Sequence, residues 1–267
     1  MLPVHAILAP VLYLLMAQTP EPGVLSVPVR DDVAEAAASA PSRPVLVELF
    51  TSQGCGLCPD ANLFLGEFDQ EREDVLVLAF GVDYWDMYGW ADIYARPEYV
   101  QRQRAYLPRL GQTRLFTPHF VIDGAADAAS WNRGQVRDAV DARVTEIAEA
   151  PSDDIEIAIS DGPFGSRRIT LNGETSEELD VWLVAYQPNW KSHVIEGGEN
   201  AGKEILHYNM VKSLTYLGEW EGGEAEFMGE AFDRFGAVVI LQGERGGPIR
   251  AIAHEPAAYD PENEDRY

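Results

Sequence analysis

Two regimes of hydrophobic patterning divide this 267-residue chain, and they meet near Pro151. In the first, Pro44 to Phe50 is apolar at every position but Glu48, the pattern of a central strand covered on both faces. Asp60 to about Glu71 carries Leu63, Phe64, Leu65 and Phe68 on one apolar side, which predicts an amphipathic helix. Asp74 to Phe80 is again apolar and predicts a second buried strand, completing a strand–helix–strand unit with a right-handed crossover. A segment rich in aromatic residues follows: Tyr84, Trp85, Tyr88, Trp90, Tyr94, Tyr99 and Tyr106, interleaved with Asp83, Asp86, Asp92 and Arg102-Gln103-Arg104. Leu115 to Gly124 reads as a proline, a strand and an Asp-Gly turn. Ser130 is placed to cap a helix reaching Glu149, with Val136, Val140, Val144 and Ile147 on one face. Pro151 ends it and marks a domain boundary.

Beyond that point the period drops to two. Residues 155–159, 168–171, 181–186, 237–241 and 249–252 predict short strands separated by Gly, Asn and Asp turns. The second half, 151–267, therefore reads as a mainly antiparallel β-sandwich-like domain ending in an acidic tail. The first, 43–150, reads as an α/β domain with an aromatic-rich, helical insertion.

Composition narrows the classes of partner. The formal net charge is -24, from 44 acidic against 20 basic side chains. Nucleic-acid binding needs basic clusters to meet phosphate, so it is excluded as an expectation, and docking to anionic membranes with it. Ala6 to Ala17 is apolar but short of the roughly 20 residues a bilayer span requires. It predicts a secretory signal over residues 1–17, although Lys and Arg are missing from its start, then a linker over 18–42. No stable membrane span is expected after processing, and the expected location is periplasmic or secreted.

The chemistry centres on Cys55 and Cys58, the only cysteines in the chain. A C-x-x-C pair after a strand and at a helix start is a redox signature. Unpaired backbone N–H groups and the helix dipole favour thiolate at the first sulfur. Cys55 is thus the expected attacking thiol and Cys58 the resolving one, with a redox-active disulfide between them and no other cofactor. Half a zinc site, an inert disulfide and two unrelated thiols are the alternatives, though a second cysteine pair to complete a zinc site is missing. His119 is a candidate local base or third metal ligand, against a histidine that is only hydrogen-bonded. Gly197 to Lys203 follows a phosphate-binding loop for seven positions but has Glu204 where Ser or Thr must hold magnesium, so it reads as a Gly-rich turn.

Glu48 to Cys55 with Cys58-Pro59, then Val82 to Asp86, Gly89-Trp90, Arg102 to Arg104 and Thr117-Pro118, resembles a bacterial family of secreted thioredoxin-like proteins catalogued as a domain of unknown function. Gly198-Glu199-Asn200, Gly202 and Asn209 extend the resemblance over nearly all the chain after the leader. It implies a thioredoxin-like fold for residues 43–150, and export, without a known substrate. It also implies that Thr117-Pro118 is a cis-proline peptide set against the cysteines. In thioredoxins a buried carboxylate on the first strand lies behind the cysteines and moves a proton to the resolving thiol. Glu48 is similarly placed by the resemblance, and the alternative is a carboxylate satisfied by backbone donors or an arginine. Gly81 and His119 depart from the family pattern, which has histidine and glutamine there. The function expected is thiol–disulfide exchange on exported client proteins, recharged by an unidentified redox partner. The alternative is a non-catalytic binding or assembly protein, metallochaperone-like, holding a soft metal at the cysteines.

Overall fold

β1 (Val45–Thr51) is buried at all seven positions, and its alternation sends successive side chains to opposite faces of a sheet. Val45, Val47 and Leu49 pack with Phe64, Leu65 and Phe68 of α1 (Cys58–Glu71) and with Val136 and Val140 of α3 (Arg133–Glu149). Leu46 and Phe50 point the other way, into a cluster with Tyr99, Val100 and Tyr106 of α2 (Pro97–Tyr106). β2 (Val75–Gly81) runs parallel to β1, and β3 (His119–Ile122) and β4 (Ala126–Ala128) extend the sheet antiparallel. The aromatic stretch forms a short 3-10 helix, Asp83–Tyr88, followed by α2.

The structure, a computed structural model, describes residues 42–128, 132–150, 154–188, 190–191, 194–232 and 234–257. The expected leader and most of the linker, the Ser130 cap, the Pro151 stop and the acidic tail lie outside the described residues. Asn132 caps α3 instead, its side chain accepting from the N–H groups of Gly134 and Gln135.

After α3 come β5 (Ile155–Asp161), β6 (Ser166–Gly173), β7 (Leu179–Gln187), β8 (Trp190–Lys191), β9 (Leu206–His207), β10 (Met210–Trp220), β11 (Ala225–Glu230), β12 (Gly236–Gly243) and β13 (Ile249–Glu255). The five strands expected from period-two patterning lie within β5, β6, β7, β12 and β13. Their assembly overturns the expected fold class, a thioredoxin-like α/β domain followed by a separate β-sandwich-like domain. One mixed sheet of eight strands, in the order β13-β12-β7-β10-β2-β1-β3-β4, draws on both halves of the chain. β10 makes the join: Met210 pairs in parallel with Ala79, and Ala79 N–H donates to Asn209 O at 3.0 Å. The remaining three-stranded sheet, β11-β6-β5, packs Ile169 and Leu171 onto Leu183, Val239 and Leu241 at the far end of the large sheet. The described residues accordingly form one compact unit.

β10 escapes a reading by periodicity because two irregularities, at Val211/Ser213 and Tyr216/Gly218, shift its register against β7. Each bulge breaks the alternation of inward and outward residues. Among the described residues no helix is long and apolar enough to cross a membrane.

Candidate functional site: the dithiol turn

β1 delivers the chain at Thr51 into a tight turn, in which Cys55 N–H donates to Ser52 O at 3.2 Å and Cys58 N–H to Cys55 O at 3.1 Å. α1 starts at Cys58, with Pro59 in its first turn, where a missing N–H costs nothing. The helix start thus belongs to Cys58, and Cys55 sits three residues ahead of it. Both cysteines are free thiols. Cys55 is 2% exposed and Cys58 fully buried.

The two sulfurs are strongly unequal. A hydrogen bond from the Cys58 thiol, reinforced by the Thr117 hydroxyl and the backbone at Leu57 and Cys58, lowers Cys55 from its ordinary 9.0 to about 7 against the opposing effect of burial. Burial pushes Cys58 well up, and the neighbouring Cys55 sulfur pushes it further. Thr117 also accepts from Trp85 Nε1 at 2.7 Å, which fixes its side chain between the indole and the dithiol. The Thr117–Pro118 peptide is cis.

Most of what holds the turn comes from elsewhere in the sequence. Asn200 donates to Gln53 O at 2.9 Å and to Cys55 O at 2.8 Å, while Lys203 Nζ donates to Asn200 Oδ1 at 3.0 Å. Glu199 Oε2 accepts the Gly56 N–H at 2.7 Å. A Cβ at Gly56 would lie 2.5 Å from that carboxylate oxygen, so a larger residue after Cys55 would push the Glu199 carboxylate from this position. The Gly197–Lys203 stretch, read from sequence as a Gly-rich turn, is therefore the clamp on the dithiol loop.

A buried polar chain supports the turn from below. Asn62 donates to Thr51 Oγ1 at 2.7 Å and to Cys58 O at 2.9 Å. His207 lies between Asn62 and Gln53, its ring nitrogens 3.3 Å and 3.4 Å from them, and burial lowers it to about 4. Gln53 N–H donates to Asp92 Oδ2 at 2.8 Å and Gln53 Oε1 accepts from Trp90 Nε1 at 2.9 Å. Nothing in the sequence singles out His207 or Asp92. Asn62, one helical turn after Cys58, is the one whose spacing could have drawn notice.

Two expected residues stand apart from this arrangement. Glu48 occupies an even position of β1 and so faces α2, on the side of the sheet away from α1. There it pairs with Arg102 Nε at 2.5 Å and accepts a hydrogen bond from Tyr106 OH. It does not lie behind the cysteines, and the alternative reading, a carboxylate satisfied by an arginine, describes it. His119 has both ring nitrogens engaged, Nδ1 3.2 Å from Gln103 Nε2 and Nε2 3.0 Å from Asp127 Oδ2. It offers no nitrogen to a metal in this arrangement, and among the described residues no group of three or more His, Cys, Asp or Glu side chains is arranged to hold one.

The family described as Protein of unknown function (DUF1223) matches residues 46–242. The chain belongs to that family. The DUF1223 match spans the dithiol turn, Thr117 and the Glu199–Asn200 clamp together, and so crosses the point where two domains were expected to meet. A crystal structure of a protein from Agrobacterium tumefaciens is similar over 81% of this chain and 95% of its own, with 24% identity and a TM-score of 0.65. That likeness concerns the fold alone. Comparison with curated proteins finds no match.

Proposed function

We propose that this DUF1223 protein performs thiol–disulfide exchange on other proteins through Cys55 and Cys58. The observation that carries the reading is the inequality of the two thiols: Cys55 is lowered to about 7 by donors gathered around it, and Cys58 is raised. A dithiol serving only as packing has no need of donors aimed at one sulfur. The turn, the start of α1 and Thr117 together resemble the active-site arrangement of thioredoxin-like proteins, and this local likeness adds support.

In the reductive direction, the Cys55 thiolate attacks one sulfur of a client disulfide, and the client's other sulfur leaves as a thiolate that takes up a proton. Cys58 then loses its proton and attacks the Cys55 sulfur of the mixed disulfide. The client's second thiolate departs, and a Cys55–Cys58 disulfide remains. The client gains two electrons and the protein dithiol loses two. A thiol or dithiol reductant must return them before the next cycle, and the reverse sequence oxidises a client. The apolar run of residues 6–17 supports an extracytoplasmic setting, where client disulfides persist.

The test uses the two single variants. Cys58→Ser is expected to accumulate mixed disulfides through Cys55 on non-reducing gels, and Cys55→Ser almost none. If Cys58→Ser traps no protein and its Cys55 is alkylated no faster than a peptide thiol, the proposal fails.

A further inference from the structure

On the α2 face of the large sheet, a cavity of about 350 Å³ opens between α2 and strands β7, β10 and β12. Its walls include Arg102, Tyr106, Trp182, Leu214, Tyr216 and Gln242. The Trp182 and Tyr216 rings lie 5.1 Å apart, so much of the lining is aromatic.

Two buried donors at this cavity have nothing to donate to. Among the described residues, Arg102 Nη2 and Trp182 Nε1 are the buried side-chain polar atoms without a hydrogen-bond partner, and both belong to residues of the cavity wall. Buried donors are nearly always met, because an unmet one keeps the full cost of leaving water. The other nitrogens of Arg102 are occupied: Nε by Glu48 at 2.5 Å and Nη1 by Gln242 Oε1 at 3.2 Å. Ring centroids of Phe80, Tyr106 and Trp182 lie 5.4–5.7 Å from its Cζ. They spread the charge but supply no directional acceptor as an oxygen does.

We propose that this cavity binds a small uncharged aromatic molecule bearing a carbonyl-type oxygen, which accepts from Arg102 Nη2 and Trp182 Nε1. The flat apolar body is matched by Trp182, Tyr216 and Leu214, a few convergent donors on apolar walls being the usual makeup of a small-molecule site. An anion is disfavoured because the guanidinium charge is already balanced by Glu48, and Glu98 adds a carboxylate to the wall. A cation would meet the two unmet donors, which present hydrogens to it, beside the Arg102 guanidinium. The site is separate from the dithiol: α1, which carries Cys58, packs on the opposite face of the sheet. It stands whether or not the exchange activity does.

The test titrates the isotope-labelled full chain with benzamide, toluene and benzoate while its amide and indole N–H resonances are followed. Benzamide is expected to shift the Trp182 indole and the backbone amides of Ala105 and Leu214 saturably, in the millimolar range. Toluene should bind at least about fivefold more weakly, the scale of one lost hydrogen bond, and benzoate also more weakly, because its charge meets the Glu48 and Glu98 carboxylates. Trp182→Phe keeps a ring and removes the donor. It should weaken benzamide roughly fivefold and leave toluene unchanged. Ala105→Leu narrows the cavity from α2 without touching either donor and should weaken benzamide too, so the question stays decidable if Trp182→Phe fails to fold. Absence of saturable shifts at these residues overturns the proposal. So does tighter binding of benzoate, equal binding of toluene, or a benzamide affinity unchanged by the substitution that folds.

Discussion

The side-chain amide of Asn200 donates to the carbonyl oxygen of Cys55 at 2.8 Å, across a sequence separation of 145. With its second bond, to Gln53 O, it closes the inner side of the dithiol turn.

Asn200→Ala takes away the side-chain donor to the buried Gln53 carbonyl and leaves Cys55 O with the Cys58 N–H alone, at a cost of roughly 1–3 kcal/mol in stability. Freed from the clamp, the turn should open more often, and Cys55, now 2% exposed, should react faster with iodoacetamide. Melting temperature and alkylation rate check the two halves of this expectation. A variant that melts lower with slower alkylation would separate the clamp from access to the sulfur.

The Cys55 thiol should titrate near pH 7. Its folded value lies below the ordinary 9.0, so thiolate is present at neutral pH and is lost as pH falls through 7. Thr117→Val deletes a hydroxyl donor to the sulfur and should move the midpoint upward, slowing alkylation at pH 6.5 by roughly two- to tenfold. Alkylation rates at Cys55 from about pH 5 to 9, read by peptide mass spectrometry with Cys58 in place, provide the profile, since the Cys58 thiol is buried and raised.

Glu48→Gln should act on stability rather than on exchange. Removing one member of a buried ion pair costs about 3–5 kcal/mol, since Arg102 is left charged and uncompensated. The rate at which Cys58 resolves a mixed disulfide at Cys55 should stay as in the parent, because Glu48 lies on the α2 face. Denaturant melts and stopped-flow resolution kinetics distinguish this from a proton-shuttle role.

His207 gives a sign to the pH dependence. Burial holds its folded value at about 4, below the ordinary 6.5. The unfolded chain takes up a proton through 6.5 while the folded one refuses it, so stability is full above 6.5 and falls as the pH drops toward 4. A shift of that size corresponds to about 3 kcal/mol. Asp92 works in the opposite sense. Burial raises it to about 6, so its contribution is full below its ordinary 3.8 and is lost as pH rises through 6. The contribution of His207 is therefore read as the difference between His207→Gln and the parent in denaturant melts from pH 7.5 to 4.5, with the parent expected to fall more steeply.

Local pattern made some of this molecule legible and left the rest hidden. β1, α1 and β2 lie within a residue or two of where apolar runs place them, because each is packed on faces its own sequence declares. Cys55, Cys58 and Thr117 lie together, a grouping that the resemblance implies and that no periodicity encodes. The grouping of strands was not readable, since the contact of Met210 with Ala79 depends on a long-range pairing that no periodicity encodes. The resemblance places Glu48 behind the cysteines, but one step of alternation along β1 decides which face it occupies, and it faces Arg102 and Tyr106. The neighbours of Cys55 were hidden for a similar reason: Glu199, Asn200 and His207 lie far along the chain, in loops or very short strands with no period to read.

The insertion of β10 beside β2 means that the chain cannot be shortened at residue 150. A fragment holding only 43–150 would leave β2, apolar at every position, as a raw edge with open N–H and C=O groups. Such an edge pairs with any similar strand it meets. Expressed alone, that fragment is expected to stick to itself and come out of solution, the later strands acting as its built-in plug.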